Sequence, residues 1–455
     1  MIRPLKTILI AGSLALLIGA SFAGGQRLRQ SVVSPVRTQL TSLPELGIVG
    51  PLGAGSAFEQ GDDSSPAETF QDVYRYVKSE YVDRVSNDRK LSFGAVRTMI
   101  MSLDDPKTRF IEPEQLQAVK DQMDGQFTGI GATVTIVKQK KGTVDQRRLA
   151  VIAPIPGGPA DKAGIRAGDI VTYVDGKWVI AYDPRLDLDK LKTKDLDEAQ
   201  YRKALTGAFK RLQDGISLPK ALEFISAKDG KTMELTLERA GAADPVKVKV
   251  TTATTKFSPV EFKVVNETVG YLRVTQFNAE AEKEVQKALA GATQKALVVD
   301  LRDNSGGLIL GARPLPDAAI ALLSRITSGG EVGSVVRARG ASDAIRIEKA
   351  EGPKFKVAVL INGGTANVAE LVASALKAKG ATLVGAKTFG DPILQRLVPL
   401  RDGAAMTMSA GKYIAAGGKE FAGTGIQPDV VVATGGPQTG SDAAFQRAVS
   451  ALAGA

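Results

Sequence analysis

At 455 residues the chain is longer than one small core requires, so two or three domains are expected. Hydrophobic residues make up 44% and charged residues 24%, and the net charge of +10 forms no basic stripe interleaved with aromatics, which speaks against a nucleic-acid surface. Neither histidine nor cysteine occurs, which excludes a Ser-His-Asp triad, a Cys-His pair, disulfides and the common zinc sites, so no metal and no cofactor is expected.

The chain opens with Arg3 and Lys6 ahead of an apolar stretch from Ile8 to Phe22, and Ser21-Phe22-Ala23 before Gly24 meets the small-residue pattern of a signal-peptide cleavage site. A spanning helix needs about 20 apolar residues. Residues 1–23 therefore read as a cleaved signal or an uncleaved N-terminal anchor. Either one exports the body to the periplasm or cell envelope, and this segment is the one expected tie to a membrane. Residues 24–66, rich in Gly, Ser, Pro and Thr, read as a flexible linker. Over residues 67–125 the pattern turns helical, with Phe70, Val73, Tyr74 and Val77 on one face, and Asp104-Asp105-Pro106-Lys107-Thr108-Arg109-Phe110 follows Leu103.

Residues 126–256 begin with Phe127-Thr128-Gly129-Ile130-Gly131-Ala132, a Gly-flanked loop leading into a strand. Its amides could receive a peptide C-terminal carboxylate while the peptide adds as a strand. The run from Pro159 to Val171 fits P-A-x-x-A-G-[IL]-x-x-G-D-x-[IV] residue by residue, and with the preceding loop it resembles a PDZ domain. The charged, helix-prone stretch at about 183–229 reads as a helical insertion with a solvated face. Lys231 to Arg239 and Val246 to Val250 then alternate as strands that complete the PDZ-type sheet.

Residues 257–433 carry the densest pattern. Val269 to Phe277 reads as a strand, and Leu297 to Gly307 (LVVDLRDNSGG) as a strand ending in a glycine turn. Val357 to Ile361, a helix from Ala369 to Lys379 and Ala381 to Val384 form a β-α-β unit. Such a unit sets a glycine turn and a helix N-terminus at the carboxyl edge of a parallel sheet, where α/β folds build their sites. Gly425-Ile426-Gln427-Pro428-Asp429 closes the region, and residues 434–455 read as a poorly ordered tail with a short helix.

Two strings in this region carry a resemblance. Gly364-Thr365-Ala366-Asn367-Val368-Ala369-Glu370 is similar to G-[ST]-A-S-A-S-E. Gly385-Ala386-Lys387-Thr388-Phe389-Gly390-Asp391, with Gln395 four residues on, is similar to G-E-K-T-F-G-K-G-x-x-Q. Both belong to the C-terminal processing peptidases, tail-specific Ser–Lys proteases, which Leu297 to Gly307 also resembles through D-L-R-x-N-x-G-G. The resemblance implies an α/β crotonase-like (ClpP/crotonase-type) peptidase core with an inserted PDZ domain and an N-terminal helical region that in relatives supports a homodimer. It makes Asn367 the nucleophile position, Asp391 the base position and Gln395 the residue that orients the base. It assigns the oxyanion hole to Gly306, Gly307 and Val368, and peptide binding to the loop Phe127 to Ala132.

Two of those positions hold unsuitable chemistry. A carboxamide nitrogen is no nucleophile because its lone pair is delocalised, and a hydroxyl or thiol needs a neighbouring base. Asn367 also has a simple structural reading, as a helix N-cap bonding the first free amides. The expectation is a pseudo-peptidase that binds polypeptide C-termini or unfolded protein substrates, or partners an active relative. The alternative is an active serine-type endopeptidase with a relocated dyad, such as Thr365 with Lys387. Acyl-CoA chemistry follows from fold analogy alone.

Overall fold

The computed structural model describes residues 65–187, 197–227, 230–348, 350, 355–432 and 442–453. The expected signal or anchor, nearly all of the linker and the middle of the expected insertion lie outside them. The chain forms two compact units, Met1–Val85 and Ser86–Ala455.

In the first unit, helix α1 (Pro66–Glu80) starts in a capping box: Ser65 Oγ accepts from the Glu68 amide and Glu68 Oε2 from the Ser65 amide. None of its residues is buried, and Phe70 and Val73 of the expected apolar face are more than half exposed.

The second unit opens with α2 (Asp88–Met101), β1 (Arg109–Ile111) and α3 (Pro113–Met123). Phe93 of α2 meets Phe110 edge-on at 4.8 Å, and Ile111 packs on Leu397 and Ala405 of the core. The expected separate helical region is thus divided: α1 lies in the first unit, while β1 is a strand of a core sheet.

The PDZ-type layer consists of β2 (Gln126–Gly129), β3 (Ala132–Lys141), β4 (Val144–Pro154), α4 (Pro159–Lys162), β5 (Ile170–Val174), β6 (Lys177–Trp178), α5 (Glu198–Gln213), α6 (Leu218–Ile225), β7 (Thr232–Glu238), β8 (Val246–Thr251) and β9 (Ala253–Lys256). Its sheet runs β3-β4-β5-β7-β8 with β6 on β5, and β2 pairs with β9. Strand β7 alternates, sending Met233, Leu235 and Leu237 into the core. Helix α6 belongs to that same core, because Ala221 and Ile225 pack with Leu149 and Val151. The expected insertion at about 183–229 therefore ends in a PDZ core helix, and α5 alone of its two described α-helices buries no residue.

The remaining core comprises β10 (Val260–Val264), β11 (Val269–Val274), α7 (Ala279–Ala290), β12 (Ala296–Asp300), β13 (Ile309–Leu310), α8 (Asp317–Ile326), β14 (Gly330–Val336), β15 (Ser342–Ile347), β16 (Lys356–Ile361), α9 (Val368–Ala378), β17 (Thr382–Gly385), β18 (Ile393–Pro399), β19 (Ala405–Ala415), β20 (Val430–Val431) and α10 (Ala443–Ala453). One sheet runs β10-β11-β12-β16-β17-β20 and is parallel from β11 to β20. A second runs β13-β18-β19-β14-β15, with β1 on β19. Both faces of the parallel sheet are covered, which is why its strands read as unbroken apolar runs. Leu297 and Val299 of β12 enter the large cluster with α7, α8 and α9, while Val298 faces Ala444, Ala448 and Leu452 of α10. The short helix expected in the tail is Ala443–Ala453, and it is docked on the sheet rather than loose. Its burial is decided by the far face of the sheet, which the tail's own sequence does not display.

Candidate functional site

The site grows from the turn between β16 and α9. Asn362 at the end of β16 holds this turn through its amide side chain. Its Oδ1 accepts from the Asp303 amide at 3.0 Å and the Gly364 amide at 2.9 Å, and its Nδ2 donates to Asp303 Oδ1 at 3.0 Å. Burial pushes the Asp303 carboxyl up, against the Asn362 hydrogen bond. Thr365 is fully buried; its hydroxyl donates to the Leu301 carbonyl at 2.8 Å and accepts from the Asn362 amide. Glycine is required at 364, where a Cβ would meet Asp303 Oδ1 at 2.5 Å and Ala167 of the PDZ-type layer at 3.1 Å.

Asn367 follows in a backbone conformation open to few side chains, φ 57° and ψ −123°. It is the N-cap residue of α9, as the sequence suggested, and Glu370 reaches back to its amide as in a capping box. Its Nδ2 donates to the Ile393 carbonyl at 2.5 Å. Its backbone amide donates to Glu370 Oε2 at 3.0 Å, and the Asp391 amide donates to the same oxygen at 2.8 Å. Glu370 Oε1 accepts from the Gly390 amide at 2.7 Å and from Thr388 Oγ1 at 2.5 Å. One buried carboxylate thus ties both halves of the sequence motif together. Burial pushes the Glu370 carboxyl up to about 7 against the pull of its donors.

Asp391 forms an ion pair with Lys107, and both side chains are largely buried. Asp391 Oδ1 also accepts from the Ile393 amide at 3.2 Å. Gln395 reaches the same neighbourhood but grips main chain: Nε2 donates to the Lys107 carbonyl at 3.0 Å, beside a second bond to that carbonyl from Thr407 Oγ1. Lys107 lies in the run from Asp104 to Phe110, where nothing in the sequence marked it as the partner of position 391. Glu370 was visible within the motif, but nothing local revealed its partners.

Gly306 takes positive φ, 88°, and a Cβ there would lie 2.9 Å from Asn367 Cβ and 3.2 Å from the Val368 amide nitrogen. The glycine turn after β12 is thereby brought against Asn367 and Val368. The Gly306 amide itself donates to Asn304 Oδ1 at 2.9 Å, so it is engaged within the loop. Gly307 lies against the Phe277 carbonyl, which a Cβ would meet at 2.3 Å.

The loop expected to bind peptide is partly committed. Phe127 is buried against Phe257, and Thr128 Oγ1 bonds Thr254 Oγ1 at 3.0 Å. The Ile130 amide donates to the Ile225 carbonyl of α6 at 2.9 Å, and the Ile130 carbonyl accepts from the Ala160 amide. Gly129 and Gly131 both take positive φ, at 131° and 71°, which the close approach of Ile225 O and Pro159 demands. Ala132 starts β3, which among the described residues pairs with β4 alone.

Among the described residues no cluster of three or more acidic side chains is placed to hold a metal, and no helix is long and apolar enough to cross a membrane.

Comparison with known proteins accounts for both layers. Residues 268–432 match Peptidase family S41, and residues 151–190 match a PDZ domain. The carboxyl-terminal-processing protease of Picosynechococcus sp. is 30% identical over 409 residues, covering 85% of this chain and 86% of the relative. The carboxy-terminal-processing protease of Bartonella bacilliformis is 29% identical, over 80% of this chain and 74% of the relative. Among solved structures, a photosystem II D1 C-terminal processing protease superposes with a TM-score of 0.57 at 27% identity, covering 80% of this chain and 86% of its own. With a peptidase core of this kind and a PDZ domain in front of it, the chain belongs to the family of C-terminal processing proteases.

Proposed function

We propose that this chain is a catalytically silent, exported member of its family, whose PDZ domain binds polypeptide C-termini, on its own or beside an active relative. The observation that carries this reading is the pair of side chains at 367 and 391. A carboxamide is tied to the Ile393 carbonyl at the first, and a carboxylate is paired with Lys107 at the second. Neither offers an activated hydroxyl. The expected oxyanion frame of Gly306, Gly307 and Val368 would then stand beside no attacking group. The residues read as a signal or anchor support export, and a homodimer follows from the resemblance of the helical start alone.

The names of the relatives favour a second reading, an active processing endopeptidase. Its candidate dyad, Thr365 with Lys387, has a hydroxyl already engaged by Leu301 and an exposed lysine. A single experiment separates the two. Purified protein is incubated with a denatured substrate, and no cleavage is expected. Asn367→Ser or Asp391→Lys alone should stay inactive, because a dyad acts as a unit, whereas the double variant should give measurable, partial cleavage. If the unmodified protein cleaves, and Thr365→Ala or Lys387→Ala abolishes that activity, the silent reading is wrong.

A further inference from the structure

We propose that Lys107 is a positioning residue of the candidate site: it holds Asp391 in an ion pair that replaces a lysine at 391, so the site is silenced by a change of charge as well as by Asn367. The inference rests on the silent reading above and extends it to a residue outside the two strings that carry 367 and 391. Lys107 comes from the segment before β1, far away in sequence, yet its ammonium meets the Asp391 carboxylate in a largely buried contact. Its backbone is fixed from several sides. The carbonyl accepts from Gln395 and Thr407, each at 3.0 Å, and the amide donates to Asp105 Oδ1 at 3.0 Å. Next to it, Thr108 Oγ1 donates to Asp105 Oδ2 and accepts from the Ser409 amide. With its main chain so held, the Lys107 ammonium stays within reach of position 391 when the residue there changes.

The consequence is specific. A lysine introduced at 391 would face the Lys107 ammonium, and like charges in a partly buried site repel strongly. Where both stay protonated, the new side chain is driven away from position 367, and a displaced base is costly for a dyad. Where the like charge instead strips its proton, it becomes the neutral base and replacing Lys107 would lower kcat.

The test compares two full-length proteins acting on the same denatured substrate. Asn367→Ser/Asp391→Lys keeps Lys107, and the other protein adds Lys107→Met. Removing the ammonium should raise kcat by at least about tenfold with little change in KM, since it acts on the dyad and not on substrate binding. A second measurement, in the Asn367 background, follows thermal melting of Lys107→Met, Asp391→Asn and the pair. Each single change strands one charge, so the combined loss in Tm should be smaller than the two separate losses added. Equal or lower kcat once Lys107 is replaced, or additive Tm losses, overturns the proposal. If neither protein cleaves, the melting cycle alone decides. Cleavage by the unmodified protein would instead remove the silent reading and leave the Lys107–Asp391 coupling to the melting cycle.

Discussion

Glu370 shows how one side chain organises the site. Its two oxygens receive Asn367, Thr388, Gly390 and Asp391, so the elbow after β16 and the segment before β18 are fixed to one carboxyl group. Burial raises its pKa from 4.5 to about 7. A folded-state pKa above the unfolded value means that the group's stabilising share is complete below pH 4.5 and is lost as pH rises through about 7. Glu370→Gln keeps the size and the neutral state, but its NH2 turns two hydrogens towards groups that donate, where the protonated acid turns one. We expect it to cost about 1–3 kcal/mol near pH 5, with the gap to the native protein narrowing towards pH 8. Urea midpoints measured across that range check this, and a gap that widens with pH would contradict it. Asn367, its neighbour, holds a conformation that costs on the order of 1–3 kcal/mol and persists because Glu370, Gly306 and Ile393 surround it.

Among the elements, α10 carries more of the fold than its position near the end of the chain suggests. It lays Ala444, Ala448 and Leu452 across the face of the parallel sheet formed by Val298, Ala358, Leu360 and Val384. Phe445 meets Tyr271 edge-on at 5.5 Å, and Asp442 pairs with Arg302 at 2.7 Å. Without this helix the strands would turn buried side chains to water. Leu452→Ala should therefore destabilise the protein by about 2–3 kcal/mol, read as a lower denaturation midpoint. A change within a few tenths of a kcal/mol would mean that the helix contributes little. Helix α1 is the contrary case, well capped yet without a buried residue.

At the scale of the second unit, the PDZ-type layer and the peptidase-type core meet beside the elbow. Ile152 and Ala153 of β4 pack on Ala366 and Phe389, and Ser305 Oγ bonds Thr133 Oγ1 at 3.2 Å. Thr133 follows directly on the loop expected to bind peptide. With the Ile130 amide engaged by α6, a C-terminal carboxylate would rely on the remaining amides of that loop, and the chain would add along β3. We expect an apolar C-terminal peptide to bind the intact protein and its amidated form to bind at least about tenfold more weakly, because the charge-assisted bonds are lost. Titration calorimetry or fluorescence anisotropy reads the difference, and equal affinities would remove the carboxylate from the account.

The sequence by itself determined the layers and the frame of the site. Short-range patterns specify them: the unbroken apolar runs of β12 and β16, the alternation of β7, and the glycine turns around 306 and 364. Each of these follows from the residues nearest to it. The absence of histidine and cysteine likewise limits the chemistry through composition alone. What only the tertiary structure decided is which side chains meet. Gln395, expected to orient a side chain at 391, lies 288 residues from the Lys107 carbonyl that it holds. Asn367 caps its helix, as its neighbours suggested, but its side chain also bonds Ile393, which no local pattern announced. Residues 442–453 read as part of a tail because the sheet face that buries them is assembled from strands distant in the chain. Pairings of this kind depend on how sheets stack and where strands end, and no window of neighbouring residues contains that information.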